Sequence, residues 1–207
     1  MPTSLKRRLP FGAELSATGI EFRVWAPRRS RVAVRIAGFD ELLPLDAEGD
    51  GYFSGGQQGL GAGTRYCFRL DDEVYDYPDP ASRYQPEGVH GFSEVVDPDA
   101  YAWSDSHWTG IELPGQVIYE LHVGCFTPEG TWRAAEEKLI HLKDMGITVL
   151  ELMPVAEFDG QFGWGYDGVK WYAPTRLYGT PEDFRHFVDA AHQHGLAVIL
   201  DVVYNHF

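Results

Sequence analysis

Two short stretches concentrate side chains that could bind a polar, uncharged ligand. Aromatic faces pack against the apolar faces of sugar rings, whereas carboxylate, amide and imidazole groups exchange hydrogen bonds with hydroxyls. WGYDGV and DVVYNHF together hold both kinds of group, and the residues are Trp164, Tyr166, Asp167, Asp201, Asn205 and His206. These residues predict a sugar-binding site. The same side chains also suit a structural role, with the aromatic rings packing a loop and Asp201 and His206 bracing it.

Composition excludes several classes of partner. The chain has 207 residues, 31 acidic against 17 basic, with a net charge of −14. This balance argues against nucleic acid and anionic membranes as partners. The N-terminus has a small basic cluster with no apolar run after it, so we expect a cytoplasmic protein. Cys67 and Cys125 lie far apart, which favours reduced core thiols over a disulfide framework.

The first half of the sequence has a period of two. Residues 20–27 and 31–36 alternate apolar and polar side chains around a Pro-Arg-Arg-Ser turn, which predicts a hairpin. Further short, aromatic-rich strands follow, separated by glycine-rich turns. We therefore expect an immunoglobulin-like β-sandwich over residues 1–96, followed by a polar linker over residues 97–115.

The second half alternates strands and helices over residues 116–207. Strands are predicted at 117–124, 148–155 and 197–203. One predicted helix begins after Thr131, with Met145 on its inner face, and another begins after Thr180. This order is typical of parallel β/α units, which open both doubly wound sheets and β/α barrels. Because no glycine-rich phosphate turn follows the first strand, the barrel is favoured, as the first three units of an incomplete (β/α)8 TIM barrel.

Active sites of β/α barrels lie at the carboxyl ends of the strands. Three places qualify here: residues 120–122, the loop 154–179, and residues 201–206. At about two dozen residues the middle loop is unusually long, and length of that kind indicates function or disorder. Its many aromatic residues argue against disorder.

Histidines in the second predicted helix do not indicate a metal centre. His186, His192 and His194 have no cysteine or carboxylate at a convincing ligand spacing. A solvated helix surface is favoured, and no metal or other cofactor is expected.

These motifs resemble the α-amylase superfamily of glycoside hydrolases. DVVYNH is similar to its first signature region, IYELHVG and LELMPV resemble its first two strands, and WGYDGV resembles the loop that carries a sugar-stacking tyrosine. Residues 1–96 resemble the N-terminal sandwich of branching, debranching and trehalose-releasing members. The stretch DYPDPASRYQPEGVHGFSEVVDP, residues 76–98, resembles the trehalohydrolase subgroup.

The resemblance implies roles for individual residues. Tyr166 would stack on the glucose at the cleavage subsite, His206 would hydrogen-bond its hydroxyls, and Asp201 would orient the catalytic carboxylate. Trp164 and Asn205 would give support; Asn205 matches a calcium-binding position in many α-amylases, but the subgroup implies no metal. The implied partner is maltooligosyltrehalose or a related α-glucan, with functional pairing to a maltooligosyltrehalose synthase.

The nucleophile and the acid are expected elsewhere. Retaining glycosidases use two carboxyl groups about 5–5.5 Å apart, and the resemblance implies that these follow later barrel strands. Glu120, Glu151 and Asp167 match none of the family's catalytic motifs, so we expect this chain to be an N-terminal portion that is inactive alone. The alternatives are a branching or debranching enzyme, and a non-catalytic glucan-binding or vestigial protein.

The isolated second half should have low stability. A complete barrel takes about 250 residues, and three parallel strands leave sheet edges and apolar faces uncovered. We expect residues 116–207 to unfold at lower urea concentration than residues 1–96 in a chemical denaturation followed by fluorescence and circular dichroism. One cooperative transition covering both halves would contradict this expectation.

Overall fold

The computed structural model describes residues 7–204. The chain divides into two compact units, Met1–Asp97 and Pro98–Phe207. Over the described range, no helix has the length and apolar character needed to cross a membrane.

The first unit contains two antiparallel sheets. One sheet has the strand order β1-β2-β6-β5; the other has the order β4-β3-β7-β8, and β9 also pairs with β7. The strands are β1 (Gly12–Leu15), β2 (Gly19–Trp25), β3 (Val32–Ile36), β4 (Leu43–Pro44), β5 (Asp46–Gly49), β6 (Tyr52–Gln58), β7 (Arg65–Leu70), β8 (Asp76–Tyr77) and β9 (Ser93–Glu94).

The hairpin predicted for residues 20–36 is wrong. β2 pairs with β1 and β6, whereas β3 pairs with β4 and β7 in the other sheet. Alternate residues of both strands are buried in one core cluster, including Phe22 of β2 and Val34 of β3, both 0% exposed. The alternating pattern identifies the buried face of a strand but not its neighbour, because the face repeats every two residues whichever strand is adjacent.

Polar residues of the stretch 76–98 form a buried network. Tyr66 donates its hydroxyl hydrogen to Asp79 Oδ2 at 2.6 Å, and burial raises the pKa of Tyr66 well above its ordinary value. Ser93 accepts from the Asp79 amide at 3.0 Å and donates to Gln85 Oε1 at 2.5 Å. These bonds give the motif a structural function, since buried polar groups are tolerated when they are paired.

The second unit is built on a parallel sheet of order β10-β11-β14. Helical segments connect its strands, as predicted, and a separate two-stranded sheet lies within the long loop. The elements are β10 (Ile118–Leu121), α1 (Val123–Phe126), α2 (Trp132–Glu136), α3 (Leu139–Asp144), β11 (Val149–Leu152), β12 (Ala156–Glu157), β13 (Lys170–Pro174), a 3₁₀ turn (Arg176–Tyr178), α4 (Pro181–Gln193) and β14 (Ala197–Leu200).

The first predicted helix is two short helices. Thr131 caps α2 by accepting from the Ala134 amide, and α3 follows after a break at Glu137 and Lys138. Met145, predicted on the inner face, lies beyond the end of α3 and is 62% exposed. Leu139 and Leu142, at helical spacing from Ala135, remain buried after the break. Met145 is exposed because it is the C-cap residue, where the helix ends.

An aromatic cluster packs the helices on the sheet. Trp132 of α2 is 0% exposed and stacks on Phe184 of α4, with ring centroids 4.3 Å apart. Phe187 and Tyr178 contact the same indole ring. Thr180 and Asp183 form a capping box that fixes the start of α4. Aromatic contacts and a cap of this kind set the position of the helix that precedes β14.

Part of the predicted linker packs against α4. The Asp189 carboxylate accepts hydrogen bonds from the Tyr101 hydroxyl at 2.9 Å and from the Ser104 amide and hydroxyl at 3.2 and 2.9 Å. Burial alone would raise the pKa of Asp189, but these hydrogen bonds outweigh it and hold the pKa below its ordinary value. Asp189 is therefore an anchor for residues 101–104.

Replacing Asp189 should destabilise this unit. Asp189→Asn replaces one carboxylate oxygen with an NH2 group, which cannot accept hydrogen bonds from the Tyr101 hydroxyl or the Ser104 amide and hydroxyl. The change should lower the unfolding free energy by about 1–3 kcal/mol at neutral pH. Because the folded pKa is depressed, the contribution is present above the unfolded pKa of about 3.9 and is lost as pH falls through the folded pKa. Urea denaturation at several pH values measures this. Glu182→Gln, at an exposed position of α4, is the control, and an equal loss in both variants would contradict the anchoring role.

Candidate functional site

The parallel strands end in one row. Leu121, Leu152 and Leu200 are register partners at the ends of β10, β11 and β14. The ladder continues one step, with Met153 donating to the Leu121 carbonyl at 3.0 Å and Asp201 donating to the Leu152 carbonyl at 2.9 Å. The residues that follow the strands therefore leave the sheet at the same edge, where β/α folds place their sites.

The long loop after β11 is held firmly at its base. Glu157 is 0% exposed, accepts from the Arg176 amide at 2.7 Å and forms an ion pair with its guanidinium. Burial raises the pKa of Glu157, although Arg176 opposes the shift. Gly165 has φ +89°, and an added Cβ would lie 1.8 Å from the Pro154 carbonyl oxygen. The loop therefore crosses close to its own start, and this crossing requires glycine.

Tyr166 and Asp201 meet at the strand-end edge. The Tyr166 hydroxyl donates to Asp201 Oδ2 at 3.3 Å, and the side chain of Tyr166 remains 38% exposed. Partial desolvation and the Asp201 carboxylate raise the pKa of Tyr166, with smaller contributions from Glu120 and Glu151. Glu120 and Glu151 are register partners on adjacent strands. The phenol therefore stays neutral and lies in a field of negative charge.

The remaining predicted site residues lie in different surroundings. Trp164 is 72% exposed and lines a cavity of about 510 Å³ together with His122 and Tyr178. Asp167 is exposed. Asn205 and His206 lie outside the described residues. Of the predicted set, Tyr166 and Asp201 are the two joined by a hydrogen bond within residues 7–204.

His122 is a residue that the sequence analysis placed at a strand end but gave no role. Its Nε2 lies 2.8 Å from the Gly163 carbonyl oxygen and 3.0 Å from the Tyr178 hydroxyl. The tautomer with hydrogen on Nε2 donates to Gly163. This bond ties residues 161–166 of the long loop, called the aromatic loop below, to the end of β10. Its position directly after the strand was the available signal. The partner is a backbone carbonyl 41 residues away, which no side-chain pattern marks.

Two of the three helix histidines, His186 and His192, have protein partners. His192 stacks on Trp108 with centroids 4.5 Å apart and lies 2.7 Å from Asp105 Oδ2, and its side chain is 14% exposed. His186 lies 2.7 Å from Glu136 Oε2. The predicted solvated surface is therefore wrong for His192, because residues 105–108 cover it. No group of three or more His, Cys, Asp or Glu side chains within residues 7–204 is placed to hold a metal ion.

The thiols also differ from expectation in one case. Both are free; Cys67 is buried as predicted, whereas Cys125 is exposed and lines the 510 Å³ cavity.

The chain belongs to the alpha-amylase family. The model of the alpha-amylase catalytic domain matches residues 82–207, more than half of the chain. The chain is 50% identical to a malto-oligosyltrehalose trehalohydrolase of Deinococcus radiodurans and 46% identical to one of Saccharolobus solfataricus, each over 96% of its residues. These alignments span 32% and 35% of the two relatives, so the chain covers about a third of their length.

A solved structure agrees with this family assignment. The crystal structure of a Salmonella typhimurium protein described as an alpha amylase superposes with a TM-score of 0.91 at 50% identity. The match covers 96% of this chain and 34% of that one.

Removing the His122 imidazole should loosen the aromatic loop. His122→Ala deletes the bond to the Gly163 carbonyl, so amide hydrogen exchange across residues 161–166 should accelerate by about tenfold, equivalent to about 1.4 kcal/mol of local stability. Exchange read by mass spectrometry measures this. His107→Ala, at an exposed position, should leave exchange in the loop unchanged, and unaltered protection in His122→Ala would contradict the tether.

Proposed function

We propose that the chain is the N-terminal portion of a glycoside hydrolase that releases trehalose from malto-oligosyltrehalose. The observation that carries the proposal is identity of about one half, over nearly the whole chain, to relatives that bear the name of this activity. The bond cleaved would be the α-1,4 linkage that joins the trehalose end to the glucan.

The proposed architecture follows from the two units. Residues 1–96 would be an immunoglobulin-like sandwich, because two antiparallel sheets bury their inner faces in one cluster. Residues 116–207 would be the first three β/α units of a TIM barrel, because their strands are parallel and are connected by helical segments. Residues 97–115 would connect the two, with part of this segment anchored on α4.

The proposed sugar site is built around Tyr166. Its exposed ring would pack on a glucose face, and its hydroxyl would stay oriented by Asp201. Asp201 would accept hydrogen bonds, so that it helps to orient the reacting carboxylate and its neighbours. His206 would bind hydroxyls of the same sugar, with Trp164 and Asn205 in support.

Bond cleavage in this proposal depends on carboxyl groups beyond these strands. A retaining mechanism needs a nucleophile and an acid about 5–5.5 Å apart on the two sides of the glycosidic bond. Glu120 and Glu151 lie within β10 and β11, on the face opposite the one covered by helices, where they contribute negative charge near Tyr166. We assign Glu120 and Glu151 an electrostatic function. The proposed enzyme uses no metal or cofactor. It would be cytoplasmic and act after a maltooligosyltrehalose synthase.

Product analysis tests the proposed activity. The protein purified from its source cells should release free trehalose from malto-oligosyltrehalose, and its intact mass should exceed 23.3 kDa, the mass of these 207 residues. Altered α-1,6 branching would indicate a branching or debranching enzyme instead. Glucan binding without turnover by the intact native protein would favour a non-catalytic protein.

Two variants of Tyr166 separate ring stacking from hydrogen bonding. Tyr166→Ala removes both and should lower kcat/KM for trehalose release by about 30-fold, or about 2 kcal/mol. Tyr166→Phe keeps the ring and loses one exposed hydrogen bond, so the loss should be about fivefold or less. Initial rates of trehalose release give both values. Equal losses in the two variants would contradict the stacking role.

A further inference from the structure

The stretch of the long loop that carries Tyr166 lies against the start of the same loop. Gly165 and Gly168 flank the tyrosine. A Cβ added to Gly165 would lie 1.8 Å from the Pro154 carbonyl oxygen, and one added to Gly168 would lie 2.7 Å from Ala156 Cβ. The backbone on both sides of Tyr166 therefore rests on the first residues of the loop, and the position of those residues sets the position of the ring.

Glu157 joins the start of the loop to its return and to the 3₁₀ turn before α4. The Glu157 carbonyl accepts from the Val169 amide at 2.8 Å. Its buried carboxylate accepts from the Arg176 amide at 2.7 Å and forms an ion pair with the Arg176 guanidinium. The Thr175 hydroxyl donates a further hydrogen bond to this carboxylate, which lowers the pKa of Glu157 against the effect of burial. One residue thus connects three segments of the chain.

Other contacts keep the loop folded when the carboxylate is changed. The Thr175 amide donates to the Val155 carbonyl at 2.7 Å, and Val155 and Phe158 are 7% and 4% exposed. Because 23% of the Arg176 side chain is exposed, its guanidinium can regain water when it loses its partner. An amide in place of the Glu157 carboxylate cannot accept from all three donors, since its NH2 group is itself a donor. The expected effect of such a change is a shift of the loop without its unfolding.

We propose that Glu157 is a positioning residue for Tyr166, which acts through Arg176 to set where the phenol ring stands relative to Asp201. The Tyr166 hydroxyl lies 3.3 Å from Asp201 Oδ2, so a displacement of about 0.5 Å ends this hydrogen bond. The importance of this placement for catalysis rests on the proposed function, in which the Tyr166 ring packs on a glucose face.

A double-mutant cycle with Tyr166 tests the positioning role. In the intact native protein, Glu157→Gln should lower kcat/KM for trehalose release about tenfold, because the ring is misplaced. In a Tyr166→Ala background the same substitution should change kcat/KM by about twofold or less, since the ring that it misplaces has been removed. Glu137→Gln, which changes an exposed carboxylate between α2 and α3, is the control and should leave kcat/KM unchanged in both backgrounds.

The ionisation of the phenol gives a second readout, which does not depend on activity. Partial desolvation and the Asp201 carboxylate raise the pKa of Tyr166. When Glu157→Gln moves the ring away from Asp201, the pKa of Tyr166 should fall toward the ordinary value of about 10. The ¹³Cζ resonance of Tyr166, assigned by its absence in Tyr166→Phe, follows this titration by NMR. Glu137→Gln should leave the pKa of Tyr166 unchanged.

Arg176→Lys is a milder second variant and replaces Glu157→Gln in both measurements if the latter does not fold. It keeps the positive charge and the backbone hydrogen bond but loses the planar guanidinium. It should lower kcat/KM about threefold, again only when Tyr166 is present.

The remaining outcomes separate the positioning role from the proposed activity. Equal losses of kcat/KM with and without Tyr166, or a pKa of Tyr166 that matches that of the unmodified protein, would overturn the positioning role and leave the activity intact. A lowered pKa of Tyr166 in a protein that releases no trehalose would overturn the activity and support the positioning of the ring by Glu157.

Discussion

The parallel register of β10, β11 and β14 is the constraint on which the candidate site depends. Hydrogen bonds align Leu121, Leu152 and Leu200 in one row, so three segments distant in sequence leave the sheet at one edge. A shift of one residue in β14 would send Asp201 to the other face of the sheet, since side chains alternate along a strand. The contact between Asp201 and Tyr166 therefore depends on backbone pairing made several residues earlier.

The two faces of this sheet have different functions. On one face, Leu150 and Leu152 belong to the same core cluster as Trp132 and Phe187, and Phe184 packs against that cluster. The other face carries Glu120 and Glu151 beside partly exposed apolar residues such as Ile199, which is 40% exposed. Hydrophobic packing thus fixes the strands from one face and leaves the other for polar chemistry.

Sequence patterns predicted where the helices of the second unit begin, but they did not predict which strands pair in the first unit. The capping residues Thr131 and Thr180 mark helix starts correctly, because a cap is a local interaction. The pairing of β2 with β6 instead of β3 is a long-range choice that alternation does not encode. The role of His122 was missed for a similar reason: its partners are a backbone carbonyl and a tyrosine that only the folded loop brings to the strand end.

The proposed sugar site requires that the loop after β11 and the end of β14 form one glucan-binding surface. The most direct measurement is a ¹⁵N NMR titration of the protein with maltotetraose, with amide and indole resonances assigned. We expect chemical-shift changes at residues 161–166 and 201–204, including the Trp164 indole, that saturate together. Shifts confined to the first unit, or a saturating ligand that leaves both segments unperturbed, would contradict it.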